Sequence, residues 1–258
     1  MQYSFDVGVP LSAMLNELNL ENVLCLDIET VPQYPSFDEL PADAQKLWIR
    51  KAAALKKDEG VDETMIYDRA GIYAEFGKII CISVGFMTTQ DGVRTFRLKS
   101  FFGEGEKDLL IAFANLLQQI HEQRATRRRT PMVLCGHNAR EFDFPYLCRR
   151  MVVHSIPLPP QLDISGKKPW EITHLDTMEL WKFGDFKNYT PLNLLAYILG
   201  IPSPKDDIDG SQVGHVYWQE KNLERIVTYC QKDVVTVMQI LLRLKGEALL
   251  VPDEVIYP

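Results

Sequence analysis

Val23-Leu24-Cys25-Leu26-Asp27-Ile28-Glu29-Thr30-Val31-Pro32 is an apolar run carrying two acids and closed by a proline. It reads as a buried strand of a parallel sheet. Side chains alternate along a strand, so Asp27 and Glu29 emerge on the same face. Two carboxylates that close repel, and one keeps its proton at neutral pH unless a cation shares the site. A bound metal is the expectation; the plainer reading is a strand end dissolving into a turn.

Working outward, Met132 to Cys135 read as a second buried strand and Gly136 to Arg140 as a polar loop. Pro145 lies in the first turn of a helix running to about Val152. Asp143 therefore sits at a helix N-terminus, where the dipole favours an ionised, metal-binding carboxylate, although a simple N-cap explains it as well. Asn138 offers its amide to a phosphate or sugar, or accommodates an awkward loop conformation. Between Asn222 and about Lys245, Leu223, Ile226, Val227, Cys230, Val234, Val237, Met238 and Leu241 recur at spacings of three and four, one apolar helical stripe. Tyr229 and Asp233 fall one turn apart on its edge, facing a groove beside the core. A helix-edge tyrosine with a solvated aspartate is the alternative.

The remaining elements complete an α/β order. Asp38 to Lys57 is helical in propensity and is followed by an acidic stretch, Asp58 to Asp62. Lys78 to Met87 and Val93 to Ser100 form a hairpin around Asp91-Gly92. Glu106 to His121 is an amphipathic helix, Glu171 to Leu175 a strand, and helices follow from Thr177. We read residues 1–258 as one domain, with a core of about 22–245 and a helical insertion of about 34–70.

With 258 residues, 46% of them apolar, the chain can bury one good core. Five cysteines without Cys-x-x-Cys spacing read as reduced core residues, which predicts an intracellular, cytoplasmic protein. No apolar run approaches the ~20 residues that span a bilayer, so no membrane association is expected. The net charge of −7 argues against tight non-specific nucleic-acid binding, although basic residues cluster locally. Arg124, Arg127, Arg128 and Arg129 precede the second strand; Arg140, Arg149 and Arg150 surround Asp143; Lys167, Lys168, Lys182, Lys187 and Lys205 follow. Such runs also occur as plain solvated loops. His137 and His174 read as structural, and Asp163 and Asp176 as capping or surface residues.

Asp27-Ile28-Glu29-Thr30, then Asn138 with Phe142-Asp143, then Tyr229-x-x-x-Asp233 on a late helix, resemble the three exonuclease motifs of the DEDD superfamily, tyrosine subclass (DEDDy). Within it the chain is most similar to the proofreading 3′-to-5′ exonuclease domains of family-B DNA polymerases, and in particular to stand-alone polymerase-B-like exonucleases. Ile172 to Thr177, Pro191 to Ala196, Leu199 to Pro202, Lys205 and Asp209 to Val213 support that placement, and the resemblance covers residues 22 to about 245.

The resemblance implies a ribonuclease H-like fold, a mixed central sheet (hairpin plus parallel strands) flanked by helices. It also implies a metal-dependent exonuclease that removes nucleoside 5′-monophosphates from the 3′ end of single-stranded DNA. Asp27 would bridge two Mg²⁺ ions, replaceable by Mn²⁺; Glu29 and Asp233 would complete the ion holding the attacking water, and Asp143 would hold the other. Tyr229 would orient the water. Thr30, Asn138, Phe142 and Lys205 would contact the terminal nucleotide, Phe142 by stacking unless it is a core residue. Replication or repair proteins are the implied partners. An exoribonuclease or oligonucleotide-degrading enzyme with the same site, and a catalytically silent nucleic-acid-binding module, are the alternatives; four mutually repelling acids argue against the silent module.

Overall fold

The computed structural model describes residues 13–55, 66–185, 187–202 and 208–258. Strands β1 (Val23–Pro32), β2 (Gly77–Gln90), β3 (Val93–Phe102), β4 (Val133–Gly136), β5 (Leu175–Asp176) and β6 (Val255–Ile256) form one sheet in the order β5-β4-β1-β2-β3-β6. β1, β2 and β3 run antiparallel in succession, while β4 joins β1, β5 joins β4 and β6 joins β3 in parallel. Helices α1 (Ala13–Asn16), α2 (Ala42–Leu55), α3 (Glu106–Thr126), α4 (Asp143–Val153), α5 (Thr177–Lys182), α6 (Leu192–Ile198), α7 (Val213–His215) and α8 (Leu223–Lys245) accompany the sheet. This is the α/β, ribonuclease H-like arrangement, with β1 mixed in its pairing rather than part of an all-parallel sheet.

Alternation along β1 builds two cores. Leu24, Leu26 and Ile28 pack with Leu110 and Phe113 of α3 and Leu147 of α4. Val23 and Cys25 face the other way, onto Val234, Val237 and Met238 of α8. Asp27 and Glu29 continue that second row, so the strand that anchors both cores carries its acids under α8. Gly85, opposite Cys25, lets α8 come close: a Cβ there would lie 2.3 Å from the Phe96 ring and 2.9 Å from Val234.

The β1–β2 register shifts between Glu29 and Thr30, where Glu29 pairs with Cys81 and Thr30 with Ile79. The extra residue, Ile80, joins Cys81 on the α8 side, Ile80 against Ile226 and Cys81 against Val227 and Cys230. A bulge of this kind bends the strand and re-aims side chains.

Several boundaries differ from the sequence reading. The helix expected over Asp38–Lys57 is a 3₁₀ turn at Phe37–Glu39 and then α2, because Pro41 forces Leu40 into extended backbone; Lys56, Lys57 and the acidic stretch Asp58 to Asp62 lie outside the described residues. In place of a strand over Glu171–Leu175, Pro169–Glu171 is a 3₁₀ turn closed by the Glu171 carboxylate on the Lys168 amide, and pairing begins at Leu175, where β4 supplies Cys135. β6 lies beyond the expected core. Within the expected insertion, Trp48 stacks edge-on with Tyr67 and Phe76, 5.4 and 5.1 Å between centroids.

Arg150 is a correction of another kind. It is buried, donating to Glu106 through Nε at 2.8 Å and Nη2 at 2.5 Å, while Nη1 reaches the Ala74 carbonyl. Glu106 also accepts from the Ile79 amide and meets His154 Nε2 at 2.7 Å, so one carboxylate ties α3, α4 and β2 together. Arg140 is likewise engaged internally, on the Pro169 and Ile172 carbonyls.

Burial alone would raise the Glu106 carboxyl, but Arg150, the Ile79 amide and His154 together hold it below 4.5. A depressed folded value means the unfolded chain binds the proton more readily, so the stabilisation is complete above 4.5 and disappears as pH falls through the folded value. Urea titrations should show Glu106→Gln less stable than wild type by about 3 kcal/mol at neutral pH, with the gap closing in acid; a gap that persists or widens in acid contradicts this.

Candidate active site

β4 pairs with β1 only as far as Cys25–Cys135. Beyond that point no strand among the described residues pairs with β1 on this side, and Asp143 supplies a partner: its Oδ1 accepts the Ile28 amide at 3.1 Å. The helix thus begins at Asp143, with Phe142 as the flanking cap residue, and the carboxylate bonds across to β1 instead of capping α4 in the usual Ncap manner. Asp143 is 4% exposed and Glu29 is 7% exposed.

From the opposite side α8 brings Asp233 and Tyr229. Asp233 lies close enough to raise Asp27, Glu29 and Asp143 by its charge, and it accepts the Tyr229 phenol hydrogen bond. Asp27 and Glu29 stand within hydrogen-bonding reach of each other, and their oxygens lie within 4.8 Å of one another and of Cys230 Sγ. The structure therefore gathers all four acids and the tyrosine. Cys230 is a neighbour that sequence reasoning placed only in the core stripe; its thiol donates to the Asp27 carbonyl at 3.4 Å.

Electrostatics mark the cluster as unbalanced. Burial first, and then Glu29, Asp143 and Asp233, push Asp27 well above the carboxylate range; burial and then Asp233 do the same to Glu29. Asp143 is pushed up to about 7 by burial, against the opposing pull of its own amide and that of Ile28. The leading charged neighbours of these three groups are carboxyls and a thiol, with no lysine, arginine or histidine among them. Asp27 Oδ2 is buried and without a hydrogen-bond partner among the described residues. Hard, unpartnered oxygen donors with uncompensated negative charge fit a divalent cation such as Mg²⁺. Burial and then Cys81 push the Cys230 thiol well above its ordinary value.

Asn138 adopts a left-handed conformation, φ 58°, and its Oδ1 is also buried without a partner among the described residues. Thr30 follows the bulge and hydrogen-bonds Tyr146. The Phe142 ring lies 5.3 Å from that of Tyr146 and packs on the core. Lys205 lies outside the described residues. His137 bridges Thr177 and the Thr190 carbonyl, and His174 joins the Leu134 amide to the Gln161 carbonyl; both are structural.

Two features escaped sequence reasoning. Asp176 caps α5 as expected but is 1% exposed and no surface residue: it accepts the amides of Asn138, Arg140, Met178 and Glu179, fixing the loop that leads to Asp143. The signal was an acid at a strand end immediately before a helix. Beside Glu29, Lys78 pairs across from Val31 and lies 4.8 and 4.5 Å from the Tyr217 and Trp218 rings, with Lys221 5.0 Å from Trp218. These residues, with Glu104 and Leu223, line a cleft reached by the π-helical turn Val216–Glu220; the adjacent Tyr217 and Trp218 with Lys221 three residues on were the available signal.

Removing the Asp176 carboxylate leaves four backbone donors without their acceptor. Asp176→Ala should lower stability by about 3 kcal/mol or more, with Asp176→Asn recovering part of the loss; denaturant midpoints decide, and an alanine variant within error of wild type sinks the assignment.

The matched family comes as an independent finding. A family model described as a predicted 3′-5′ exonuclease related to the exonuclease domain of PolB matches residues 72–248. No curated protein matches the chain. The match takes in Asp143, Tyr229 and Asp233 and begins after β1, so Asp27 and Glu29 reach the site through the pairing of β1 with β2 rather than through the matched stretch. The match spans well over half of the chain, which belongs to this family of hydrolytic 3′-5′ exonucleases related to the PolB exonuclease domain.

Proposed function

We propose that the chain is a DEDDy-type exonuclease acting on single-stranded DNA from its 3′ end and releasing nucleoside 5′-monophosphates, as one catalytic unit to which residues 34–70 are an appended element. The observation that carries the reading is the convergence of Asp27, Glu29, Asp143, Asp233 and Tyr229, from β1, α4 and α8, around unpartnered carboxylate oxygen. Asp27, Glu29, Asp143 and Asp233 would hold two Mg²⁺, with Mn²⁺ able to replace them. When bound, these ions supply Lewis-acid stabilisation to the entering and leaving oxygens of an in-line displacement.

The protein's own groups do the rest. Tyr229 is pushed far above the ordinary phenol value, by burial first and then by Asp233, Glu29 and Asp27, so it keeps its proton and orients the attacking water rather than deprotonating it. Asn138, held by Asp176 with its side-chain oxygen unpartnered, and the Thr30 backbone would receive the terminal nucleotide. Phe142 supports α4 through Tyr146. Lys78 and Lys221, with Trp218 between them, would follow the phosphates upstream of the scissile bond. Five free cysteines accord with work in the reducing cytoplasm, where replication or repair proteins are available as partners.

Incubation with 5′-labelled single-stranded DNA and Mg²⁺ or Mn²⁺ should give a ladder shortening from the 3′ end, abolished by chelation and by Asp27→Ala or Asp233→Ala. Mn²⁺ should also raise the melting temperature of wild type and not of Asp27→Ala. Internal fragments from 3′-blocked DNA sink the exonuclease reading, and faster digestion of labelled RNA sinks the choice of DNA. Lys78→Ala/Lys221→Ala should raise KM several-fold at nearly constant kcat and make the log–log salt dependence shallower by about 0.7 per lost phosphate contact; a fall in kcat alone contradicts the assigned track.

A further inference from the structure

Arg124, Arg127, Arg128 and Arg129 are left unused by the catalytic reading. They gather at the C-terminal end of α3, where a cleft opens between that helix and the face of the sheet opposite Asp27 and Glu29. The floor is aliphatic, formed by Leu24, Val84, Leu116, Ile120 and Met132, with Phe86 half-buried beside them. Arg124, Arg127, Arg129 and Lys99 stand around the mouth with a single carboxylate, Glu21.

This rim is built and electrostatically unfinished. Arg124 is fixed by the Thr130 carbonyl at 2.6 Å and by the Asn22 side chain. Burial and then Arg129 work against its charge, and Glu21 supports it. Glu21 in turn accepts the Thr89 amide at 2.8 Å. Arg127 and Arg129 are exposed and form no ion pair among the described residues. Cations held side by side over an apolar floor call for an occupant that is acidic outside and apolar at its centre.

Thr88, Gln119 and Gln123 also line the cleft, but the floor beneath them is aliphatic and suits an apolar side chain better than the polar edge of a nucleobase. The cleft also lies on the wrong face of β1 to lead a strand toward the carboxylates. We propose that it receives an acidic peptide segment of a partner protein, one large apolar side chain seated among Leu24, Ile120 and Met132 and flanking carboxylates paired with Arg127 and Arg129. Recognition of this form combines an anchor in a pocket with a charged rim that steers association.

Fluorescence anisotropy of a labelled decapeptide, aspartates around one central phenylalanine, titrated with the full chain at low salt, reads the site directly. The expected result is saturable binding that weakens about tenfold or more when the phenylalanine becomes alanine, weakens further with added salt, and is lost in Arg127→Glu/Arg129→Glu. Lys99→Glu, an exposed change on β3, should weaken it independently should the double variant not fold. Absence of binding, indifference to the phenylalanine, or equal affinity in the charge-reversed variants overturns the proposal. So does a single-stranded oligonucleotide that competes for the rim while the peptide does not, which makes the cleft a nucleic-acid track instead.

Discussion

Repulsion among Asp27, Glu29, Asp143 and Asp233 is the constraint that the remaining structure withstands. Burying one carboxylate costs several kcal/mol, and neighbours of the same sign add to that cost. The cluster holds because its members hang from elements fixed by other means. β1 is anchored in apolar cores on both faces, α8 lies close over Gly85, and α4 is tied through Arg150 and Glu106. Asp143 gains in addition two interactions that its ionised form makes best, with its own amide and with that of Ile28. A bound cation would convert the same geometry from a liability into a ligand set, the usual direction of exchange between stability and function at such sites.

Features set by local periodicity were legible in the sequence. The stripe from Leu223 to Leu241 could only be a helix, and it put Tyr229 and Asp233 on the correct edge. Asp91-Gly92 gave the hairpin, since both residues take positive φ and Gln90 pairs with Val93 as a two-residue turn requires. What depends on a distant partner was not legible. The bulge at Ile80 has no signature of its own and follows from how β2 meets β1. Arg150 looked like part of a basic surface near Asp143 because its partner, Glu106, is 44 residues away. β5 starts only at Leu175 because the Leu134 amide of β4 goes to the His174 ring, a partner 40 residues away, instead of to a strand carbonyl.

The same dependence on partners explains how a family match that starts at residue 72 still bears on β1. Asp27 pairs with Ser83 and Glu29 with Cys81, so the matched strand β2 fixes where both acids stand. The even-numbered residues of β1 enter the core shared with the matched helices α3 and α4. A slip of one residue would send the two acids into that core and turn Leu26 and Ile28 toward α8 in their place. Hydrophobic burial thus enforces the register that the acidic cluster needs, and the first pair of acids is specified by the matched segment even though it lies outside it.

Charge distribution follows from where cations are already committed. In a chain of net charge −7, Arg94, Arg140, Arg150 and Lys182 make internal bonds. Lys78 and Lys221 stand over Trp218 at one cleft, and Arg127 and Arg129, with no ion pair among the described residues, stand at another on the opposite face of the sheet. An enzyme that holds a few nucleotides at a 3′ end needs few phosphate contacts, because each adds affinity for product as well as substrate. Under the proposed function, sparse positive charge beside the site would favour release of a doubly charged monophosphate. Placing the denser arginine group behind the sheet keeps it from trapping the strand, and leaves that face open to a partner whose charge is acidic without being nucleic acid.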